Sequence, residues 1–173
     1  MSSPSIIPLR MTILRNNVTR LLDARKIPYR AFELPPEKLG ARETAELLGV
    51  DPSVVYKTIV VEREHGRPVL AVIPGDHRVD LKLLASTLGE KKMMVPTAHE
   101  AERLTGLLAG GISPLALLHK GFQIVIAEEA QMLDEVHVSG GERGLNLRLG
   151  VSDLANLTQA SFARISRPEA ADS

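Results

Sequence analysis

The sequence contains no cysteine and no tryptophan, and aromatic residues make up only 3% of its 173 positions. Without cysteine there is no disulfide, thiolate zinc ligand or cysteine nucleophile. So few aromatic side chains argue against an open sheet that recognises nucleic-acid bases by stacking. The five histidines show no metal-ligand spacing such as H-E-x-x-H. We therefore expect neither a metal nor a cofactor.

The chain also lacks an excess of charge and any long apolar run. Its 21 basic and 21 acidic residues balance, whereas a protein that contacts many phosphates usually carries a larger basic excess. No stretch approaches the ~18 apolar residues of a membrane span, and the first ten residues lack the apolar core of a signal peptide. These features predict a cytoplasmic protein that makes few phosphate contacts and does not associate with membranes.

Short apolar runs alternate with segments of helical periodicity. Helices are predicted at about 10–26, 41–48, 79–88 and 98–105, with a last short helix capped by Ser152 and Asp153. Strands are predicted at about 29–34, 55–62, 68–74, 92–95, 123–127, 135–139, 145–149 and 161–165, and 75–78 is expected to be a loop. Tight turns join some strands and helices join others. This order favours an α+β fold with one mixed sheet, curled into a partial barrel and flanked by helices.

The length and the hydrophobic content of 44% suit a single domain. We expect this domain to span 9–166, with flexible segments at 1–8 and 167–173.

A lysine interrupts the apolar stretch VVYKTIVV at 54–61. If this strand alternates, Lys57 shares one face with Val55 and Ile59, while Tyr56 and Thr58 point to the other. Lysine is seldom fully buried without a partner. Lys57 could protect an exposed strand edge against aggregation, or it could be a cation in a pocket that holds a carboxylate, a phosphate or a ribose oxygen.

Two glycine-containing loops are further candidates. In AGGISP, at 109–114, the paired glycines allow a ligand to approach the main chain and allow successive amides to point at an oxyanion. In VSGGERG, at 138–144, Ser139 lies where a strand becomes a loop, which is a common position for a site residue. Each loop could equally be an ordinary turn. Of the histidines, His77 beside Asp76 is the one candidate for a role, and it could also be a loop histidine without one.

The order and combination of four stretches are more specific than any one of them. The sequence contains, in this order, VYKTIVV, VLAVIPGDHRVDLKLLASTLGEKKM, TGLLAGGISPLALL and VHVSGGERGLNLRL. Together they resemble the YbaK/EbsC-like aminoacyl-tRNA deacylases, which are free-standing relatives of the prolyl-tRNA synthetase editing domain. The resemblance covers about residues 9–165, and GGISP points to the cysteinyl-tRNA deacylase branch.

The resemblance implies a set of site residues. Lys57 matches the lysine that faces the pocket for the charged 3′ end of tRNA, and Gly110 and Gly111 match the loop that supplies amides near the scissile ester; these three are the expected catalytic residues. The expected substrate-binding residues are Tyr56, Ile112, Ser113, Pro114, Ser139 and Asn146. Two positions depart from the cysteine-specific pattern: Asn146 replaces an aspartate and Leu34 replaces a tyrosine.

The implied function is trans-editing, the hydrolysis of the ester of mischarged tRNA, with Cys-tRNA(Pro) as the first candidate. The expected partners are the aminoacyl-tRNA 3′ end and a prolyl-tRNA synthetase, and the oligomeric state stays open. Asn146 and Leu34 keep alanyl-, seryl- and threonyl-tRNA as alternatives. A non-catalytic module that binds tRNA ends or a nucleotide is a second alternative, and a structural protein in which Lys57 only protects an edge is a third.

Overall fold

The computed structural model describes residues 15–170. The expected N-terminal segment 1–8, the first residues of the helix predicted at 10–26 and the end of the tail at 171–173 lie outside this range. The first described helix begins where Asn16 and Thr19 form a reciprocal capping box: the Asn16 side chain accepts from the Thr19 amide, and Thr19 Oγ1 accepts from the Asn16 amide.

Five helices and ten strands follow one another in the described range. The helices are α1 (Asn17–Ala24), α2 (Ala41–Leu48), α3 (Leu81–Leu88), α4 (Ala98–Thr105) and α5 (Val151–Thr158). The strands are β1 (Tyr29–Glu33), β2 (Tyr56–Arg63), β3 (Val69–Pro74), β4 (His77–Val79), β5 (Met93–Met94), β6 (Gln123–Ala127), β7 (Glu135–Ser139), β8 (Leu145–Gly150), β9 (Ser161–Ala163) and β10 (Ser166–Pro168). Short 3₁₀ turns lie at Pro52–Val54, Pro114–Leu117 and Glu128–Met132.

The largest sheet has five strands in the order β5-β2-β3-β6-β9. The predicted hairpin is confirmed, since β2 and β3 pair antiparallel from Tyr56 opposite Pro74 to Val61 opposite Val69. The pairs β3–β6 and β6–β9 are parallel. Every residue of β3 is buried, as expected for a strand covered on both faces, which is why VLAVIP is apolar throughout and does not alternate.

The α+β class is confirmed, but the expectation of one sheet curled into a partial barrel is wrong. The described strands form three sheets, and in none do the outer strands pair to close it. The second sheet is antiparallel, in the order β1-β8-β7, and the third pairs β10 with β4. Only one isolated bridge, between Val55 and His137, joins the two larger sheets. Within the second sheet, β8 is the central strand and pairs with β1 on one side and with β7 on the other.

Two local expectations are also wrong. Within the 75–78 segment, which was expected to be a loop, His77 begins β4, and β4 pairs with β10. The last helix is capped by the backbone of Gly150, and neither Ser152 nor Asp153 caps it. Local sequence did not predict β4 because its partner lies almost ninety residues further along the chain.

Regular structure continues past the predicted end of the domain at 166. Arg167 pairs with Arg78 in the β10–β4 ladder and contacts the carboxylate of Asp80. The Glu169 amide donates to Asp76 O at 2.9 Å. The first residues of the expected flexible tail are therefore held against the β3–β4 turn.

Candidate active site

A cavity of about 260 Å³ lies where the two larger sheets face each other. Its wall is formed by the start of β2, the 34–44 segment, α4, the loop before the second 3₁₀ turn and the facing ends of β7 and β8. Leu34, one of the two positions that depart from the cysteine-specific pattern, also lines it. The cavity therefore collects residues from five parts of the chain.

Six of the nine predicted site residues line this cavity: Lys57, Gly110, Tyr56, Ile112, Ser139 and Asn146. The other three, Gly111, Ser113 and Pro114, do not. Ser113 is completely buried, and its Oγ accepts from the Leu115 amide at 3.2 Å. Pro114 occupies the first turn of the 3₁₀ helix that Ser113 caps. Ser113 and Pro114 thus fix the exit of the loop and are not in the cavity wall.

Lys57 is partly buried, with 26% of its side chain exposed. Its Nζ donates to Glu169 Oε1 at 2.8 Å and to Gly75 O at 3.3 Å. At this position β2 pairs with β3 alone, since β5 reaches only Glu62 and Arg63. The lysine therefore does lie on a strand edge, but that edge faces the cavity. An ammonium held in this way suits ligand binding better than protection of a free edge.

Glu169 is a residue that the sequence did not indicate. Its hydrogen bond to the Lys57 ammonium, and next the charges of Lys57, Arg42 and Arg78, hold the pKa of this carboxyl below its usual value. Arg42 Nε lies 4.0 Å from Glu169 Oε2. A separation of 112 residues between Lys57 and Glu169 leaves no local pattern that could have revealed the pair.

The glycine loop has free main-chain donors, but only one of the two expected glycine amides is among them. The Gly111 amide donates to Leu108 O at 2.8 Å, so in this geometry it is not available to a substrate oxygen. The amides of Gly110 and Ile112 have no hydrogen-bond partner among residues 15–170. Both residues line the cavity. In this geometry the amides available to a substrate oxygen are those of residues 110 and 112.

Close packing explains why both glycines are needed. Gly110 has a φ of +91°, and a Cβ there would lie 3.1 Å from Lys38 Cα. A Cβ on Gly111 would lie 2.9 Å from the backbone of Glu142 and Arg143. The AGGISP loop is thus packed between the 34–40 segment and the SGGERG loop, which links the two glycine-rich stretches in space.

Ser139 and Asn146 stand directly opposite each other in the β7–β8 ladder. Asn146 Oδ1 lies 2.9 Å from His137 Nδ1, and both side chains are buried. Because the partner atom is an oxygen, His137 Nδ1 carries the proton in this pair. Asn146 Nδ2 has no partner among the described residues, so a donor remains for a ligand. Ser139 Oγ accepts from the Gly141 amide at 3.2 Å.

His137 was missed, although a signal was present. Alternation in VHVS places His137 on the same face as Ser139. Burial is the main reason that the pKa of His137 lies below its usual value, and the Arg148 charge also lowers it. The ring packs against Phe32 with centroids 5.4 Å apart. His137 therefore acts as a neutral support that orients Asn146.

The polar atoms of Tyr56 and His77 are not among the groups that the site offers to a substrate. The Tyr56 hydroxyl is buried without a hydrogen-bond partner in the described part of the chain. Burial, followed by the charges of Glu129 and Asp76, raises the pKa of Tyr56 well above its usual value. The phenol stays protonated and cannot serve as a base near neutral pH. His77 Nδ1 lies 2.8 Å from Ser166 Oγ, where it supports the β4–β10 pair.

This arrangement offers a cation, main-chain donors, a hydroxyl and an amide, and its lining shows no Ser–His or Cys–His pair. Within residues 15–170, no cluster of histidine and acidic side chains has the geometry of a metal site. Over the same range, no helix has the length and apolar character needed to cross a membrane. A site of this kind can orient a substrate that is already reactive and stabilise negative charge on it.

Comparison with known proteins adds to this geometry. Residues 35–157 match the family described as "Aminoacyl-tRNA editing domain". The chain is 35% identical, over 92% of its length and 98% of the relative's, to the "Putative Cys-tRNA(Pro)/Cys-tRNA(Cys) deacylase EbsC" of Enterococcus faecalis. It is 34% identical over 82 residues to the proline–tRNA ligase of Trichlorobacter lovleyi, a match that covers 47% of the chain and 14% of the ligase.

Solved structures agree with these matches. A crystal structure of a hypothetical protein superposes with a TM-score of 0.81 at 28% identity and covers 88% of this chain and all of that one. The crystal structure of "a putative trans-editing enzyme for prolyl tRNA synthetase" superposes with a TM-score of 0.75 at 26% identity, over 89% of this chain and 99% of that one. Sequence, fold and cavity therefore agree that this chain belongs to the YbaK/EbsC family of aminoacyl-tRNA editing domains.

Proposed function

We propose that this protein is a trans-editing deacylase that hydrolyses the aminoacyl ester at the 3′ end of a mischarged tRNA. The observation that carries the proposal is the convergence of Lys57, two unpaired loop amides, Ser139 and Asn146 on one cavity. Membership of the editing-domain family supports the substrate class.

The loop amides are the proposed oxyanion donors. Attack of water on the ester carbonyl places negative charge on the carbonyl oxygen, while the proton of the water passes to the ribose oxygen that leaves as a hydroxyl. Gly110 and Ile112 line the cavity, their amides have no partner within residues 15–170, and these amides would supply the donors to the carbonyl oxygen. One such donor typically contributes about 3 kcal/mol to lowering the barrier. The ester is already activated by the neighbouring ribose hydroxyl, so a site without a nucleophilic side chain is sufficient.

Lys57 is the proposed anchor for the terminal nucleotide. Its ammonium would exchange Glu169 for a ribose or phosphate oxygen of the substrate. The lysine thereby orients the ester and neutralises charge, and it does not need to remove a proton. If the substrate is a cysteinyl ester, its own thiol would assist the reaction, as the resemblance to the cysteinyl-tRNA deacylase branch implies.

Cys-tRNA(Pro) is the first candidate substrate, because a relative of 35% identity over nearly its whole length carries that name. Asn146 offers an uncharged donor from Nδ2, where an aspartate would offer only acceptors. This difference keeps Ala-, Ser- and Thr-tRNA as alternative substrates within the same chemistry.

The test is a deacylation assay with a panel of charged tRNAs. The wild-type protein should release the amino acid from at least one mischarged tRNA. Lys57→Met keeps most of the aliphatic side chain but removes the charge, and it should lower kcat/KM by about 30-fold or more, as expected for the loss of a charged hydrogen bond. Lys91→Met, at an exposed position outside the cavity lining, is the matched control.

Three results would contradict the proposal. If no charged tRNA is deacylated although tRNA ends are bound, the protein is a non-catalytic binding module. If Lys57→Met is as active as Lys91→Met, Lys57 only protects a strand edge. A fall in the melting temperature in step with the loss of activity would show that Lys57 is a packing residue.

A prolyl-tRNA synthetase is the proposed partner. The near-zero net charge leaves little surface for binding the body of a tRNA, and the matches to proline–tRNA ligases connect the two proteins in sequence. Adding the synthetase should increase the rate of deacylation at limiting tRNA, and an unchanged rate would remove this partner.

A further inference from the structure

Arg143 belongs to the SGGERG loop, and the reaction proposed above does not use its side chain. Its Nε donates to Ala109 O at 2.7 Å. Ala109 immediately precedes Gly110 and lines the cavity. The backbone amide of Arg143 also lies 2.9 Å from the position that a Cβ on Gly111 would take. The guanidinium is therefore fixed beside the loop that carries the proposed oxyanion donors.

The remaining donors of this guanidinium are free. No carboxylate within residues 15–170 lies within 4.0 Å of it, and its one hydrogen bond goes to a carbonyl. Arg143 is only partly exposed. An arginine that is held through Nε keeps both terminal nitrogens for an incoming anion, and this planar pair matches the oxygens of a phosphate.

A second cation lies on the other side of Gly110. Lys38 Cα is 3.1 Å from the position of a Cβ on Gly110, and the Lys38 side chain is exposed. Its neighbours Glu37 and Leu39 both line the cavity. Lys38 has no ion pair in the described part of the chain. Two cations without an ion pair in the described residues thus belong to the two segments that pack against the loop, one to each.

We propose that Arg143, with Lys38 beside it, binds the phosphodiester that precedes the terminal nucleoside of the substrate. This inference rests on the proposed function, since it requires that a terminal nucleoside ester in the cavity places its preceding phosphodiester beside this loop. One or two phosphate contacts are consistent with a chain that has no net charge.

Binding of a single-stranded RNA that ends in the tRNA 3′ sequence and carries no amino acid tests this inference without any turnover. Arg143→Ala should weaken binding about tenfold at low salt and should reduce the slope of log K against log salt by about 0.7, the value for one phosphate contact in a single strand. Lys38→Ala should have a smaller effect in the same direction. With Arg143→Gln, which keeps a donor for Ala109 O, hydrolysis of a minimal aminoacyl-adenosine ester, which lacks the phosphodiester, should stay within about twofold of the wild type.

Arg67→Ala is the matched control, because Arg67 also donates to a backbone carbonyl, that of Lys120 at 2.6 Å, but lies outside the cavity lining. Equal RNA affinity and equal salt slope for the Arg143 and Arg67 variants would overturn the inference. A loss of minimal-ester hydrolysis as large as the loss of tRNA deacylation would also overturn it, because Arg143 would then act only by holding the loop.

A second variant and the pattern of results keep the two proposals separate. Arg143→Gln retains a donor for Ala109 O and should fold normally, while losing phosphate affinity like Arg143→Ala. RNA binding that depends on Arg143, without turnover of any charged tRNA, would refute the deacylase and leave the phosphate contact intact. Turnover of a charged tRNA that does not depend on Arg143 would support the deacylase and refute the phosphate contact.

Discussion

Replacing Glu169 by glutamine tests whether this carboxylate competes with the substrate for the Lys57 ammonium. The Lys57–Glu169 pair is the strongest contact of the proposed substrate anchor, with 2.8 Å between Nζ and Oε1. A substrate oxygen that binds Lys57 must displace this carboxylate. Glu169→Gln keeps the shape and an acceptor oxygen but removes the charge, so it should make the ammonium easier to reach.

The expected change in unfolding free energy follows from the solvent exposure of the two paired side chains. The two side chains are 26% and 37% exposed, and ion pairs of this kind contribute about 0.2–1 kcal/mol. The free energy of unfolding of Glu169→Gln should therefore fall by no more than about 1 kcal/mol. The same amount opposes substrate binding in the wild type, so KM for the tRNA should fall by up to about fivefold, with little change in kcat.

The pH dependence has a defined sign. Because Lys57 holds the pKa of Glu169 below its usual value, the pair stabilises the fold fully above the pKa of an unfolded glutamate, about 4.3. This contribution is lost as the pH falls through the lower folded-state pKa. The stabilities of the wild type and Glu169→Gln should therefore converge in acid and differ at neutral pH.

The assay is steady-state deacylation at neutral pH together with urea unfolding. Glu90→Gln is the control, since Glu90 forms a 3.4 Å pair with Arg63 on the same strand as Lys57 but outside the cavity lining. It should change stability by a similar amount without changing KM. An unchanged KM in Glu169→Gln would refute displacement, and a loss of kcat would show that the carboxylate takes part in the reaction.

Three further variants probe the rest of the site. Gly110→Ala combines a left-handed φ with a contact of 3.1 Å to backbone, so it should cost about 1 kcal/mol or more in unfolding free energy and abolish most activity, as urea unfolding and deacylation rates will show. His137 has a lowered pKa, so the wild type should lose stability as the pH falls below about 6.5, and His137→Gln should lose less between pH 7 and 5 in thermal melts. Tyr56→Phe removes a buried hydroxyl without a hydrogen-bond partner and should change the unfolding free energy by less than about 1 kcal/mol; a larger loss would reveal a partner for that hydroxyl.

Local sequence predicted the helices α2, α3 and α4 and the β2–β3 hairpin well, because periodicity and terminal glycines act within a few residues. Gly49 and Gly89 end their helices in the left-handed conformation that glycine tolerates best. The partition into three sheets was not predictable in the same way. It depends on which distant strands pair, such as β1 with β8, and alternation alone does not encode partner choice.

In the candidate site, too, some residues were predictable from local sequence and others depended on distant contacts. Lys57, the GGISP loop and Ser139 were recognisable because each combines residue types that are unusual in its local context. Glu169 and Arg143 were not given roles, since a glutamate after a proline and an arginine in a glycine-rich loop are ordinary in sequence. Only their positions, against Lys57 Nζ and Ala109 O, distinguish them from other surface charges.

The sequence by itself determined the fold class, the family and six of the residues in the cavity wall, because apolar periodicity and a few ordered motifs are properties of the chain alone. The tertiary structure decided which loop amides are free and which carboxylate pairs with the Lys57 ammonium. It also decided which histidine orients Asn146. The physical reason is that a hydrogen bond needs two groups within about 3 Å. For Lys57 and Glu169, which are 112 positions apart, the packing of the chain sets that distance. For the loop amides and for the His137–Asn146 pair, the loop conformation and the strand register set it.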